Sequence, residues 1–195
     1  MTTEETSLRN TILDKAKCLF IKHGYHGLSV REIAEEVGVS KAALYYHFKD
    51  KEELFIAVLN QNLEYTGQEI DAIQSSSKNS SEMIGRFIEY VLTQPAEQRA
   101  VIRLGTQEMS QLSAESRKMF NETYYLKFIG KIQEIFLSGM KNHEFKIMDP
   151  DIATWALLGL LYPYMYPNYF GSSPLSREKI ELIISLFMDG IRYTK

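Results

Sequence analysis

The chain has 195 residues, of which 45% are hydrophobic and 24% charged, a balance typical of a folded globular protein rather than a disordered one. No run of 18 apolar residues is present, so the sequence predicts neither a membrane-spanning helix nor a membrane partner. The net charge of −3 argues weakly against nucleic-acid binding by the chain as a whole. Residues 1–51 nevertheless hold eight Lys and Arg against seven Asp and Glu, whereas residues 52–195 hold fourteen against eighteen. A local basic face near the amino terminus is therefore compatible with the composition.

The compartment follows from the first residues and from cysteine usage. The first fifteen residues are polar and predict no secretory signal. Cys18 is the single cysteine, so an internal disulfide is excluded, which fits a reducing compartment. We expect a cytoplasmic protein in which Cys18 is a small core or boundary residue.

The first two predicted helices have clear ends. Helical spacing of apolar residues predicts a first helix of about four turns that ends at Gly24, with Leu8, Ile12, Ala16, Leu19 and Phe20 on its apolar face. Ser29 and Glu32 have the spacing of a capping box, in which each side chain bonds the backbone amide of the other residue. They open a second helix of about two turns that Gly38 ends.

A third short helix and a long fourth helix follow. Ser40 is placed to cap a helix over residues 41–48. A second capping box, Asp50 to Glu53, opens a long helix from Lys51 to about Ile73, whose apolar positions are Leu54, Val58, Leu59, Leu63, Ile70 and Ile73. The Ser-rich run at 74–81 ends this helix rather than forming a flexible tether.

The remainder of the chain is also predicted to be helical. Either Asp149 or Asp151 begins one helix, and Ser176 caps the last one. No alternating pattern favours strands. The class is therefore all-α with about nine helices, the later ones at about 83–94, 96–110, 114–141, 151–166 and 176–192.

Two short helices joined by a tight glycine turn are what a helix-turn-helix motif requires. The second helix directs Ile33, Ala34 and Val37 inward, and the third directs Leu44 and Phe48 inward one turn apart. The pair is thus predicted to pack through a small apolar seam.

The outer face of the third helix suits a DNA groove. With Leu44 on the core side, Ala42 and Tyr46 lie opposite, and Lys41 and Tyr45 flank them. Ala42 allows close approach and can contact a thymine methyl group. The Tyr hydroxyls and Lys41 can bind phosphates or base edges.

Two predicted helix N-termini add candidate phosphate sites. Ser29 precedes the second helix and Lys51 opens the fourth, and a helix N-terminus attracts phosphate through its free amides and its dipole. A lysine is unfavourable at such a position unless an anion is also present. Lys51 is therefore predicted to lie near a phosphate.

The segment from Gly38 to Leu54, GVSKAALYYHFKDKEEL, resembles the DNA-binding signature of the TetR/AcrR family without a gap. The resemblance implies a three-helix helix-turn-helix DNA-binding domain in residues 1–50. It also implies a larger helical ligand-binding and dimerisation domain in residues 51–195, with helix 51–73 connecting the two. It assigns Ser40, Lys41, Ala42 and Tyr45 to the groove-facing surface, Ser29, Tyr46, His47 and Lys51 to phosphates, and Leu44 and Phe48 to the core.

The function implied is that of a repressor bound to pseudo-palindromic, double-stranded operator DNA and released by a small molecule. The resemblance further implies a homodimer, formed through the helices at about 151–166 and 176–192. No nucleophile elbow, phosphate-binding glycine loop or HExxH motif indicates an enzyme, and no cofactor is expected. The three histidines outside the motif lack metal-ligand spacing and are expected to be exposed turn residues: His23, His26 and His143.

The aromatic content of the second domain favours an apolar or aromatic effector. The candidate ligand-binding residues are Met83, Phe87, Tyr90, Met109, Tyr124, Phe128, Trp155 and Tyr162. The stretch 162–170, YPYMYPNYF, either packs in the core or a dimer interface or contacts the ligand. Two other functions stay open: a regulator whose second domain only dimerises, and an all-α carrier or interaction protein that does not bind DNA.

Overall fold

A computed structural model describes residues 3–165 and 175–193. The helices in this part of the chain are α1 (Thr3–His23), α2 (Val30–Val37), α3 (Lys41–His47), α4 (Lys51–Ser76), α5 (Ser80–Thr93), α6 (Ala96–Glu108), α7 (Ala114–Tyr124), α8 (Gly130–Lys141), α9 (Pro150–Leu161) and α10 (Arg177–Ile191). Short 3-10 turns occupy Met109–Gln111 and Tyr162–Met165, and a π turn at Tyr125–Ile129 joins α7 to α8. With α7 and α8 counted as one continuous helix, the described residues form nine helices and no strand, which confirms the predicted all-α class.

The chain divides into two compact units. The first unit comprises the residues up to Asn62 together with Ala100–Thr123, and the second comprises Leu63–Arg99 and the residues from Tyr124 onward. Three helices, α4, α6 and α7, contribute residues to both units. Within the described ranges, no helix is both long and apolar enough to span a bilayer.

Polar caps define the helix starts in the second unit. The Asn79 side chain accepts a hydrogen bond from the Glu82 amide (2.8 Å), and the Asp149 carboxylate accepts from the amide of Asp151 (2.8 Å). Asp149, rather than Asp151, is therefore the cap of α9, with Pro150 at the first helical position, where its missing N–H costs nothing. Ser176 occupies the N-cap position of α10 but makes no side-chain capping bond, so the predicted cap is only positional.

A second cap of α5 comes from a distant part of the sequence. The Glu144 carboxylate accepts hydrogen bonds from the amides of Ser80 (3.2 Å) and Ser81 (2.9 Å). These amides have no partner inside the helix because they lie in its first turn. A negative charge at this end also suits the helix dipole, so Glu144 ties the segment after α8 to the start of α5.

The core of the second unit packs α5 against α8, α9 and α10. Phe136 and Phe145 are fully buried there with ring centroids 5.9 Å apart. Gly139 on α8 makes room for the Phe145 ring, because a Cβ at this position would overlap the ring and lie 3.0 Å from Cβ of Ser80. Close packing of the aromatic ring onto the helix backbone therefore requires glycine at position 139.

The π turn widens the α7–α8 helix where it faces α4. A Cβ at Gly67 of α4 would lie 3.0 Å from the carbonyl oxygen of Lys127, so the glycine admits the wider turn. Two ion pairs join the same surfaces: Lys127 with Glu64, and Lys131 with Asp71.

Cys18 is exposed, so its predicted placement in the core or at its boundary is wrong. Ala16 and Phe20 are buried, and Cys18 lies two residues from each. Because residues two apart in an α-helix point to different sides, Cys18 faces solvent. The predicted exposure is confirmed for His23, His26 and His143, although His23 is the last residue of α1 rather than a turn residue.

Gly139→Ala is expected to lower the free energy of unfolding by about 1–3 kcal/mol, because the added methyl group overpacks the contact with Phe145. Gly190→Ala is the matched control, since a Cβ at Gly190 meets nothing within 4 Å. The control is expected to leave stability unchanged or to raise it by about 0.5–1 kcal/mol. Chemical denaturation of both variants at one protein concentration tests this, and equal stabilities would contradict the packing argument.

Candidate functional site

The start of α2 is fixed by the predicted capping box. The Ser29 hydroxyl oxygen accepts from the Glu32 amide (3.2 Å), and the Glu32 carboxylate accepts from the Ser29 amide (2.7 Å). Hydrogen bonds from the Ser29 side chain and amide hold the pKa of the Glu32 carboxyl below its usual value. The structure confirms the box, which gives α2 a defined first turn.

The turn between α2 and α3 depends on a left-handed residue. Gly38 has φ = +82°, and its amide donates to the carbonyls of Ala34 (3.0 Å) and Glu35 (3.1 Å). The Lys15 ammonium on α1 binds the carbonyl oxygen of Val37 at 3.1 Å and so also caps this end of α2. Ser40 then begins α3 by accepting from the Ala43 amide at 3.0 Å, as predicted.

The predicted apolar seam between α2 and α3 is present. All five residues expected to face inward are buried: Ile33, Ala34 and Val37 on α2, Leu44 on α3, and Phe48 directly after it. This packing fixes which side of α3 faces outward.

An exposed surface on α3 results, which we call the α3 surface and define as Ser40, Lys41, Ala42, Tyr45 and Tyr46. The ammonium of Lys41 lies 5.5 Å from the centroid of the Tyr45 ring, as the i, i+4 spacing allows. Tyr46 is 74% exposed. The structure therefore brings all four predicted groove-facing residues, and one predicted phosphate residue, onto one exposed side.

His47 lies at the edge of the α3 surface. Its ring is half-buried, and its centroid is 5.2 Å from that of the Tyr46 ring. His47 is thus adjacent to the α3 surface, but its side chain is less exposed than those of Tyr45 and Tyr46.

Lys51, predicted to contact phosphate, is held by the backbone of the loop that precedes α2. Its ammonium donates to the carbonyls of Tyr25 and Leu28, both at 2.9 Å, and lies 4.3 Å from the centroid of the Tyr25 ring. Two of its three N–H donors are therefore used inside the first unit, which leaves one for an external group.

The second predicted capping box forms with one altered bond. The Asp50 carboxylate accepts from the Glu53 amide at 2.8 Å, as expected. The Glu53 carboxylate accepts from the Lys49 amide at 2.7 Å rather than from that of Asp50. The box thus orders Lys49 as well as the first turn of α4.

Sequence reasoning missed two basic residues of α1. The guanidinium of Arg9 lies 5.0 Å from the centroid of the buried Phe48 ring, and Lys15 caps α2. Both residues therefore contact the helix-turn-helix from α1. Their charge was visible in the sequence, but their partners lie 39 and 22 residues away in the chain, and no local spacing reveals such contacts.

Three of the predicted ligand-binding residues form an aromatic cluster in the second unit. The Phe87 and Phe128 ring centroids are 6.0 Å apart, and those of Tyr124 and Phe128 are 5.3 Å apart. Burial raises the pKa of Tyr124 to about 12. Burial also raises the pKa of Tyr90, which hydrogen-bonds the Thr66 side chain. The second unit thus contains aromatic rings with largely buried polar ends.

The remaining ligand-binding candidates are distributed more widely. Met83 is half-buried, whereas Trp155 and Tyr162 are exposed. Met109 belongs to the first unit, unlike the other candidates. Residues 166–170 of the aromatic stretch lie outside the described residues.

Comparison with known proteins identifies the family in which this arrangement occurs. Residues 12–58 match the family model described as bacterial regulatory proteins, tetR family. The regulator QacR of Staphylococcus aureus is 32% identical over 148 residues, which cover 73% of this chain and 76% of QacR. The chain belongs to the TetR family.

Two further comparisons agree with this assignment. The transcriptional repressor AcnR of Corynebacterium diphtheriae is 43% identical over 60 residues, 31% of this chain and 32% of AcnR, so this chain spans only about a third of the length of that relative. The crystal structure of AibR in complex with isovaleryl coenzyme A and operator DNA has the same fold, with a TM-score of 0.75 at 22% identity over 92% of this chain and 97% of that one. As a TetR-family protein the chain is a transcriptional regulator and not an enzyme, as predicted.

Gly38→Ala is expected to lower the free energy of unfolding by about 1–2 kcal/mol, because an L side chain is strained at φ = +82°. A Cβ at this position meets nothing within 4 Å, so the effect comes from backbone conformation alone. Gly38→Asn should lose less, since asparagine tolerates the left-handed region better. Thermal and chemical unfolding measure both variants, and an alanine variant as stable as the parent would contradict the role given to Gly38.

Proposed function

We propose that this TetR-family chain is a cytoplasmic repressor that binds a pseudo-palindromic operator as a homodimer and releases it on binding a small apolar or aromatic effector. The observation that carries the proposal is the α3 surface. Its side chains are compatible with a DNA groove, and the buried seam between α2 and α3 directs them outward. Each further element of the proposal rests on separate residues.

The α3 surface supports DNA contact through its chemistry. Ala42 has a small side chain that permits close approach to base edges. Lys41 and Tyr45 supply a cation and a hydroxyl on adjacent helical turns, and Ser40 adds a second hydroxyl at the helix start. A helix with these groups can enter the major groove N-terminus first, as recognition helices do.

Phosphate contacts are supported by groups around that surface. Helix α2 follows its cap Ser29, and α4 begins at Lys51. The first turn of each helix presents backbone amides and the positive end of the helix dipole. Lys51 retains one N–H donor beyond its two carbonyl contacts. Tyr46 and His47 adjoin the groove-facing residues, where the DNA backbone would pass.

The homodimer is supported by exposed apolar side chains on α9 and α10, the helices predicted to associate. Ile152 is 70% exposed and Trp155 56% on α9, and Leu182 and Leu186 are 59% and 63% exposed on α10. Gly159, on the same side of α9 as Ile152, has open space around its Cβ position, so another helix can approach closely. Large apolar side chains that recur at helical spacing are typical of association surfaces.

A dimer sets the geometry of the operator. Two copies of α3 reach successive major grooves of one DNA face only when they lie about 34–36 Å apart, which is one helical turn. The two-fold axis of the dimer then requires a pseudo-palindromic site.

An apolar or aromatic effector is supported by the cluster of Phe87, Tyr124 and Phe128 in the second unit. AibR, which shares the fold, has been crystallised with both a coenzyme A thioester and operator DNA. An effector that prefers a dimer with a different spacing of its α3 helices weakens operator binding by its differential affinity for the two arrangements.

Selection from a random duplex library tests the proposal and identifies the operator sequence in the same experiment. We expect enrichment of a pseudo-palindrome whose half-sites are about 10–10.5 base pairs apart, or a multiple of that distance. Fluorescence anisotropy on the selected duplex then measures affinity, and a compound library is screened for release of the DNA. Failure to enrich any sequence would contradict the DNA-binding role. Enrichment without release by any compound would favour a second domain that only dimerises.

Tyr45→Ala is expected to weaken binding to the selected operator by about 1–3 kcal/mol and to reduce discrimination against mutated half-sites. Tyr65→Ala is the matched control, because Tyr65 is a comparably exposed tyrosine on α4. Anisotropy titrations against operator and mutated duplexes compare the two variants. Equal affinities for parent and Tyr45→Ala would remove Tyr45 from the site.

Lys41→Ala is expected to weaken binding and, if its ammonium neutralises a phosphate, to reduce the salt slope of log K by about one per protomer. Lys141→Ala, an exposed lysine on α8, is the control. Lys51 is less suitable for this test, because its removal also breaks two hydrogen bonds inside the first unit. Titrations at several salt concentrations give the slopes, and a slope unchanged by Lys41→Ala would rule out its phosphate contact.

Leu186→Glu is expected to convert the dimer to a monomer and to reduce operator affinity at least tenfold, because a charge would be buried at the proposed interface. Leu137→Glu is the matched control, since Leu137 is 51% exposed on α8, outside the proposed interface. Sedimentation equilibrium gives the oligomeric state of each variant. A dimer that persists in Leu186→Glu and dissociates in Leu137→Glu would show that the interface includes α8 near Leu137 instead.

A further inference from the structure

Arg99 is a buried arginine in the first turn of α6. It is 6% exposed, and it belongs to the second unit. One terminal nitrogen, Nη1, donates to the carbonyl oxygen of Tyr164 at 2.8 Å. Its Nε is buried and has no hydrogen-bond partner among the described residues. The guanidinium is therefore only partly satisfied.

The charge of Arg99 also has no counter-ion among the side chains that the structure describes. In the described part of the chain no carboxylate forms an ion pair with it. A carbonyl oxygen supplies a dipole but no charge. Burial of an arginine without an anion is costly, so a structural role alone does not account for its charge.

We propose that Arg99 binds the anionic group of the effector, and that this group is an oxyanion such as a carboxylate. The inference rests on the effector-responsive function proposed above and adds the chemical class of the ligand. The apolar part of that ligand is the part expected from the aromatic side chains of the second unit, and Arg99 adds a charged end.

The geometry of the guanidinium favours an oxyanion over a neutral acceptor. Tyr164 holds Nη1 and so fixes the plane of the group, which leaves the Nε edge for a second partner. A carboxylate can accept two parallel N–H bonds from such an edge, and these charge-assisted bonds are stronger than bonds to a neutral carbonyl.

Matched pairs of carboxylates and primary amides test the proposal. We would titrate the full-length protein with straight-chain acids of four to sixteen carbons and with aryl-substituted alkanoic acids, each beside its amide, by isothermal calorimetry and thermal shift. At least one acid is expected to bind about 10- to 100-fold more tightly than its amide, the range of a charge-assisted hydrogen bond. The absence of any acid preference across the panel would overturn the proposal.

Three variants separate ligand binding from a structural role. Arg99→Met is expected to lose the acid preference while its melting temperature without ligand stays equal or rises, because the uncompensated buried charge is gone. Arg99→Lys keeps the charge but lacks the bidentate edge, so part of the preference should survive. Arg177→Met, at an exposed arginine of α10, should bind as the parent does. An acid preference retained in Arg99→Met, or a variant that unfolds at a clearly lower temperature without ligand, would overturn the proposal.

Operator release distinguishes this inference from the proposed function. If the amides bind the protein and release the selected operator as effectively as their acids do, the anion site is refuted. The effector-responsive repressor would still stand. A protein that binds no operator would refute the repressor, whereas acid binding lost in Arg99→Met would still support the site.

Discussion

A helix of seven residues does not persist in water by itself, and the whole DNA-facing side of this protein depends on one. Isolated helices shorter than about 12–15 residues are marginal, so α3 exists only because Leu44 and Phe48 are buried against α2 and its surroundings. The same burial orients the helix. The direction of Lys41 and Tyr45 is thus a consequence of apolar packing on the opposite side.

Packing fixes the faces of the short helices, and polar contacts fix their ends. Ser29 and Ser40 set the starts of α2 and α3, and Lys15 closes the end of α2 from another helix. Lys51 ties the start of α4 to the loop that precedes α2 through two carbonyls. The second unit uses the same device over a longer distance, since Glu144 caps α5 from more than 60 residues away. Apart from those of Lys51, which bind loop carbonyls, these contacts satisfy backbone groups that a helix end leaves unpaired.

The features that could be predicted from the sequence are those encoded within a few residues. The Ser29–Glu32 box, the glycine turn at Gly38 and the inward positions of α2 and α3 all follow from local spacing and are confirmed. The expected position of Cys18 is wrong because it was inferred from the usual burial of cysteine, whereas the spacing from Ala16 and Phe20 directs Cys18 to solvent. The contacts of Glu144 and Lys51 were missed because the fold brings together residues that no periodicity links. The environment of Arg99 belongs to the same class, since its burial becomes visible only once tertiary neighbours are known.

The π turn between α7 and α8 affects where the chain can lose a residue during evolution. The amide of Gly130 bonds the carbonyl of Tyr125, one residue further back than in an α-helix. Loss of one codon within this turn would convert it to an ordinary α turn and leave the flanking helical segments in register. Loss of a codon in the middle of α8 would instead rotate everything beyond it by about 100° and turn its buried side towards solvent. We therefore expect this helix to tolerate the loss of one exposed residue of the widened turn, which Gly67 accommodates.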